Sequence, residues 1–433
     1  IDFPEARRQQ FTITAAAMGL SLNQSGVLLA IVLGDVARPS RSALHRIVQA
    51  AGRRAGQVLA ALDRQCRALI LVGCLDAIFF HGRPILVGVE PASRVWFLGT
   101  RAADRTGPTW LKAVRPWTAL EFLVADAGTG LQNGIAQVQQ ERRAAEQAVP
   151  ESGLDVFHTT QEAQRVLRTH WQRVERLWEE AETAAATARR AGQQGHDGRG
   201  PAARVRAAWK RATAAFQASE RGAAGWTLAR PALAVFRPEG RLNDRDGARQ
   251  QIAAALPLLA GRDWSEVRTF LEAHASLTFL DRLHRQLEQA EPDPMLRTEL
   301  VRWWWLRRQR PQVGTAGVPG GSGHVAHLVQ RMVCQKHSTS WAASYRRVSR
   351  VLRETVRASS AVEGMNGVLR MHQARHRTMT QELLDLKRLY WNSRPFREGK
   401  RKGRCPYELL GLELPSSDFW TLLKMPLPEP QVT

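Results

Sequence analysis

Three apolar runs of strand length lie in the first third of the chain, and they constrain the fold more than any other feature. They read ALILVGCLDAIFF (68–80), RPILVGVEPASRVWFLGTRA (83–102) and ALEFLVADAGTG (119–130), with a helix-like stretch, TGPTWLKAVRPW (106–117), before the last. Short apolar runs bounded by turn residues are typical of strands. Two strands joined by a tight link, with another strand after a helix, predict a mixed α/β sheet.

The rest of the chain has mostly helical patterns. Residues 141 to 340 are rich in Ala, Arg and Gln, with Gly/Pro-rich breaks that indicate loops between helical bundles. We therefore predict a helical region at 1–67, a sheet-bearing region at 68–140, an all-α region at 141–340 and a C-terminal region at 341–433.

Two helix-like segments, 20–34 and 40–62, are separated by a short turn near the N-terminus. This spacing fits a helix-turn-helix, in which the second helix would offer Arg41, His45 and Arg46 to the major groove of DNA. An ordinary helical hairpin has the same pattern, so both interpretations stay open.

Charge indicates the kind of partner. The chain of 433 residues has 62 Lys and Arg against 40 Asp and Glu, a net charge of +22. Such an excess is typical of proteins that bind nucleic acid, although it can also be a solvated surface. Residues 341–404 hold 16 Lys and Arg against 5 Asp and Glu, and their basic loop REGKRKGR includes Lys400, Arg401 and Lys402. We expect this loop to contact phosphates, unless it is a flexible solvated turn.

Other sequence features bear on the compartment. Four scattered cysteines give no sign of a disulfide framework. The longest apolar runs, such as GVLLAIVLG at 26–34, are too short to span a bilayer. We therefore expect no membrane partner and a cytoplasmic protein.

Three acidic residues stand in unusual places. Asp76 interrupts the first apolar run, Asp126 ends the third, and Glu363 lies in the helix-like SSAVEGMNGVLRMHQARHR (359–377) amid many arginines. A buried carboxylate is costly unless it binds something, although either Asp alone could be a hydrogen-bonded structural residue. Carboxylates are the ligands that Mg²⁺ prefers, and a pair of such ions can serve phosphoryl transfer.

The helix with Glu363 has further polar residues. Glu363, Asn366 and Arg370 are spaced i, i+3 and i+7, which places them on one helical face. Asn366 could orient substrate or a water, while Arg370 and the nearby Arg375 could contact DNA. The alternative is that Asn366 and Arg370 form the polar face of a surface helix.

Several motifs resemble those of DDE transposases encoded by bacterial insertion sequences. LDAIFFHGRPILVGVEPASRVWFLGTRAADRTGPTW and LVADAGTGLQNG resemble the two Asp motifs, and SSAVEGMNGVLR with LLDLKRLYWNSRPFREGKRKGRCPYELLGLELP resembles the C-terminal end. The resemblance implies an RNase H-like catalytic core in which Asp76, Asp126 and Glu363 bind Mg²⁺, with Mn²⁺ as a substitute. It also implies that 141–340 is an all-α insertion.

The activity implied by this resemblance is DNA transposition. The enzyme would cut double-stranded DNA at the terminal inverted repeats of its element and join the freed 3′-OH to target DNA, as a homodimer or larger assembly in a prokaryotic nucleoid. Two alternatives remain: a non-catalytic DNA-binding protein derived from a decayed or domesticated transposase, and a nuclease with the same core that only hydrolyses.

Two weaker motifs complete the candidates. HVAHLVQRMVCQKH presents the zinc-ligand types His324, His327, Cys334 and His337, but a helix with incidental histidines explains this spacing better. In DVFH (155–158), we expect Asp155 to be structural.

Overall fold

The computed structural model describes residues 4–34, 39–194, 199–309, 322–376 and 378–426. The chain divides into two compact units. The first unit combines residues 1–155 with residues 356–433, and the second consists of residues 156–355.

The fold is mixed α/β, with one five-stranded sheet in the described residues. Its strands are β1 (Val72–Phe80), β2 (Arg83–Val89), β3 (Trp96–Arg101), β4 (Phe122–Ala125) and β5 (Glu151–Leu154). They lie in the order β3-β2-β1-β4-β5, in which β1, β4 and β5 are parallel and β2 is antiparallel to both of its neighbours.

The α-helices of the described residues follow in chain order. Those of the first unit that precede β5 are α1 (Glu5–Met18), α2 (Leu22–Leu33), α3 (Arg41–Cys66), α4 (Gly107–Val114) and α5 (Thr129–Ala144). The second unit has α6 (Val156–Gln193), α7 (Arg199–Ala229), α8 (Arg245–Ala255), α9 (Ser265–Glu272), α10 (Thr278–Ala290), α11 (Pro294–Arg308), α12 (Ser322–His337) and α13 (Trp341–Glu354). The first unit ends with α14 (Ser360–Gln373), α15 (Gln381–Ser393), α16 (Pro406–Leu410) and α17 (Phe419–Lys424).

A two-residue turn joins β1 to β2. His81 and Gly82 both have positive φ, 47° and 78°. Positive φ at both central residues is the geometry of the tight hairpin turn that suits twisted antiparallel strands. The turn sets the register in which Asp76 pairs with Val87.

The two faces of β1 pack against different helices. Leu75 faces a buried core that includes Leu59 of α3, Trp110 of α4 and Leu386 of α15. Successive strand residues point to opposite faces, so Asp76 projects from the other side. Helix α14 packs against β1 and β2.

The unit boundaries differ from the regions expected from the sequence. The first unit extends to residue 155 because β5 pairs with β4, and it resumes at 356 because α13 packs with α10 and α11 in the second unit. Helices α1 to α3 belong to the first unit, since α1 and α3 pack against α15. Residues 1–67 therefore share a core with the sheet.

The second unit is helical, with a small core of its own. Leu287, Leu300 and Trp303 are buried there with Cys334 and Val348. Its first two helices form a long hairpin in which α6 packs along α7.

No helix within the described residues is both long and apolar enough to cross a membrane.

Candidate metal centre on the first unit

Asp76 and Asp126 follow paired positions on neighbouring parallel strands. Leu75 of β1 pairs with Ala125 of β4, and each is followed by one of the two acids. Neighbouring strands lie about 4.8 Å apart, so the backbones of Asp76 and Asp126 are close. Asp76 and Asp126 lie at neighbouring positions because the apolar run that contains each of them forms a strand of the same sheet.

Glu363 reaches Asp76 from a distant part of the chain. It lies in the first turn of α14, and its carboxylate comes within 4.8 Å of the carboxylate of Asp76, measured between ligand oxygens. Both side chains are largely shielded: Asp76 is 9% exposed and the side chain of Glu363 is 18% exposed. The structure therefore brings together two of the three acids predicted from the sequence.

Asp126 lies beside this pair without joining it. Its carboxylate accepts a hydrogen bond from the Gly128 N–H at 3.1 Å, which caps the turn leading into α5. Within the described part of the chain, Asp76, Asp126 and Glu363 do not form a set whose ligand atoms all lie within 4.8 Å of one another.

Asn366 fixes the orientation of Asp76. Its Nδ2 donates to Asp76 Oδ2 at 2.6 Å, across 290 residues of chain. Because a carboxylate only accepts, this bond identifies which end of the amide faces Asp76. The other end, Oδ1, is buried and has no hydrogen-bond partner in the described structure. Asn366 is only 1% exposed and contacts Asp76. Its expected contact with the DNA substrate or a water stays a prediction.

The N-terminus of α14 is anchored to the sheet. Asp155, directly after β5, is 1% exposed and accepts hydrogen bonds from the backbone N–H of Ser359 at 3.0 Å and from the Ser359 hydroxyl. The Asp155 N–H donates to the carbonyl of Ala125 at 2.9 Å. Asp155 thus couples the end of the sheet to the start of the helix with Glu363, which agrees with a structural role.

Arg370 provides positive charge next to the acids. Its guanidinium lies 3.7 Å from the Glu363 carboxylate, and its side chain is 59% exposed. An exposed ion pair of this kind adds little to stability. Arg370 is therefore able to exchange its contact with Glu363 for a contact with an incoming anion.

The donor set fits a hard divalent cation. Asp76 and Glu363 supply two carboxylates, Asp126 supplies a third on the next strand, and Asn366 presents an unpartnered amide oxygen. Mg²⁺ and Mn²⁺ prefer oxygen ligands of these types.

The remaining residues expected to bind DNA differ in exposure. Arg41, His45 and Arg46 are exposed in the first turns of α3, and Arg375 is exposed after α14. Most of the turn expected between α2 and α3, residues 35–38, lies outside the described residues.

In the basic loop, Lys400 and Lys402 are exposed, whereas Arg401 is partly buried. The guanidinium of Arg401 donates to the carbonyl of Ala92 at 2.9 Å and 3.2 Å. Arg401 therefore holds the loop against the β2–β3 connection.

The zinc-type ligands of α12 do not converge in the described structure. Cys334 is fully buried in the apolar core of the second unit, where burial raises the pKa of its thiol to about 11. His327 packs near Trp303, and His337 is exposed. The side chain of His324 lies outside the described residues.

Comparison with known proteins gave no match: neither a protein-family model, nor a curated protein, nor a solved structure is similar to the chain.

Sequence reasoning expected a structural Asp155 but did not predict its contact with Ser359, nor the hydrogen bond from Asn366 to Asp76. The position of Asp155 after a short strand was the available signal, but the strand itself, ESGL, has almost no apolar pattern. The hydrogen bond from Asn366 to Asp76 depends on which face of α14 packs on the sheet.

Proposed function

We propose that this chain is a DDE-type DNA transposase with an RNase H-like core, in which Asp76, Asp126 and Glu363 bind Mg²⁺. The observation that supports it best is the approach of the Asp76 and Glu363 carboxylates to within 4.8 Å, although the whole second unit separates them in the chain. Like charges held this close repel each other unless a cation or a proton is shared between them.

Three further observations support the proposal. The sheet is mixed, and Asp76 and Asp126 directly follow paired residues of its adjacent parallel strands β1 and β4. The second unit is a helical body between Asp126 and Glu363, where an all-α insertion is expected. The net charge of +22 supports DNA as the substrate.

The proposed reaction comprises two phosphoryl transfers. In the first, water attacks the phosphorus at the element end, and the bond to the 3′ oxygen breaks to leave a 3′-OH and a 5′-phosphate. In the second, that 3′-OH attacks a phosphodiester of target DNA and displaces the target's own 3′ oxygen. Bound divalent ions would activate the attacking oxygen and stabilise the leaving oxygen.

The residues of the chain have distinct roles in this reaction. Asp76 and Glu363 would hold the ions, with Asp126 completing the set. Asn366 keeps the Asp76 carboxylate in place, and Asp155 holds the first turn of α14 against the sheet. Arg370 would contact a DNA phosphate from its exposed position.

A cleavage and joining assay tests the proposal. Short inverted repeats in the DNA flanking the gene define labelled duplex substrates, which are incubated with the protein and Mg²⁺ or Mn²⁺. We expect metal-dependent nicking and a joined product, both lost in D76N, D126N and E363Q. The control is E413Q, which neutralises an exposed glutamate of the first unit.

Each other outcome selects a different function. Nicking without any joined product would indicate the hydrolytic nuclease. DNA binding without metal-dependent nicking would indicate the non-catalytic binding protein. Cleavage that survives all three substitutions would refute the assigned site.

A further inference from the structure

The hairpin of α6 and α7 is the longest element pair of the second unit. At 38 and 31 residues, its helices measure about 57 and 46 Å. Ala181, Ala208 and Ala212 are buried between them. Small residues allow close approach of two helices, so the hairpin is a narrow arm.

Charge is unevenly distributed along this arm. The base of the arm, residues 156–182 and 212–229, has five Arg against six Glu. The arm tip, defined by the described residues 183–194 and 199–211, has seven Arg or Lys and no Asp or Glu. A surface that served solubility alone would not need the two signs to be separated along one helix.

The cations of the arm tip are also differently paired. At the base, two of the five arginines have a glutamate partner: Arg165 lies next to Glu162, and Arg176 lies 3.8 Å from Glu180. At the tip, all seven cations are exposed, and six of them have no carboxylate within 4.0 Å among the described residues. Those six are Arg189, Arg190, Arg204, Arg206, Lys210 and Arg211.

The cations of α7 form an extended row. Arg199, Arg206 and Lys210 follow the spacing of seven and four residues that places side chains on one helical face. The row extends over about 16 Å of helix. A linear array of cations suits a linear array of phosphates better than a compact anion.

The composition of the tip selects nucleic acid over a membrane. Six of its seven cations are Arg, whose planar guanidinium can bind phosphate through two hydrogen bonds. Membrane-surface helices also need large exposed apolar side chains. On this arm such side chains, including Trp171, Trp178 and Phe216, belong to the base.

We propose that the arm tip is a DNA-binding surface that holds the phosphate backbone of a duplex without reading its sequence. The inference does not depend on the metal centre, because a DNA-binding protein without catalysis would use the arm tip in the same way. Removing the tip cations should leave divalent-metal binding at Asp76 and Glu363 unchanged.

The test measures binding of the full chain to a random-sequence DNA duplex as a function of salt. The variant R204Q/R206Q/K210Q/R211Q neutralises the tip of α7 with residues that favour helix. The control R168Q/R173Q/R249Q/R262Q removes the same charge from exposed positions elsewhere in the second unit. Thermal unfolding confirms that both variants fold.

We expect the tip variant to bind about tenfold or more weakly at 0.1 M salt, with the slope of log K against log salt reduced by about 2 to 4. The control should keep the wild-type slope. Equal losses in both variants, an unchanged tip variant, or no duplex binding by the wild type would overturn the proposal. Wild-type binding to anionic phospholipid vesicles that the tip variant loses, with duplex binding intact, would assign the arm to a membrane surface and also overturn it.

Discussion

Asp155 and Ser359 join the edge of the sheet to the first turn of α14 through two hydrogen bonds, one of them from the Ser359 backbone N–H at 3.0 Å. Both residues are 1% exposed. Their contact fixes where α14 begins, and with it the position of Glu363 four residues later.

Removing the Asp155 carboxylate should destabilise the first unit. D155A leaves the N–H and the hydroxyl of Ser359 buried without an acceptor, so the free energy of unfolding should fall by about 2–3 kcal/mol. S359A removes only the hydroxyl bond and should lower it by about 1 kcal/mol. Urea unfolding measures both; equal effects of the two variants would show that the backbone bond contributes nothing.

Replacing Asn366 should affect metal binding more than stability. N366L keeps the number and branching of the side-chain heavy atoms but loses the donor to Asp76, so the carboxylate is no longer held in place. Loss of such an orienting bond typically weakens metal affinity by about 10- to 100-fold. Mn²⁺ titration measures the affinity, and urea unfolding shows whether the fold is intact; unchanged affinity would mean that Asn366 has no part in orienting the site.

Replacing two helical glycines by alanine should change the free energy of unfolding in opposite directions. A Cβ on Gly52 of α3 would collide with the backbone carbonyl of Glu382 in α15, whereas a Cβ on Gly367 of α14 meets nothing within 4 Å. G52A should therefore lower the free energy of unfolding by about 1–3 kcal/mol. G367A should raise it by about 0.5–1 kcal/mol, since Ala favours helix. Stabilisation by G52A would show that α3 and α15 are not in close contact there.

Two histidines at the C-terminal end of α14, the buried His372 and the partly buried His376, should make stability pH-dependent. Burial, with the positive charge of Lys387, lowers the pKa of His372 to about 3 and that of His376 to about 4. Arg375 contributes in the same direction. Between pH 4 and 6.5 these two histidines therefore bind more protons in the unfolded chain than in the folded one, so their contribution to stability falls as the pH falls.

The variant H372Q should lose part of this dependence. We expect the difference in free energy of unfolding between pH 7.5 and pH 4.5 to be smaller in H372Q than in the wild type. Asp385 has the opposite effect on the pH dependence of stability, because burial raises its pKa to about 6. Its contribution is present in both the wild type and H372Q, so it does not account for a difference between them. An equal difference in the two proteins would mean that His372 is accessible to protons in the folded state.

The sequence predicted the mixed sheet well, because strand periodicity is local. The runs around Asp76 and Asp126 became β1 and β4, and the run 83–102 became β2 and β3 on either side of a turn. Strand β5 was not predicted, because its four residues gain stability from pairing with β4 and not from apolar side chains.

The site was only partly predictable, because its contacts join residues that are far apart in the sequence. Spacing placed Glu363, Asn366 and Arg370 on one side of α14 but did not say which residue faces the sheet. The structure turns Asn366 inward to Asp76 and leaves Arg370 outside. Long-range contacts such as Asp155 with Ser359 have no local signal.

Mn²⁺ binding tests most directly the claim that Asp76 and Glu363 form one metal site. The full chain is titrated with Mn²⁺ and followed by electron paramagnetic resonance, alongside D76N, E363Q and the control E413Q. We predict saturable binding by the wild type and E413Q, and loss of at least one site in both D76N and E363Q. Wild-type binding that D76N and E363Q retain unchanged, or no saturable binding by the wild type with DNA present, would contradict the account.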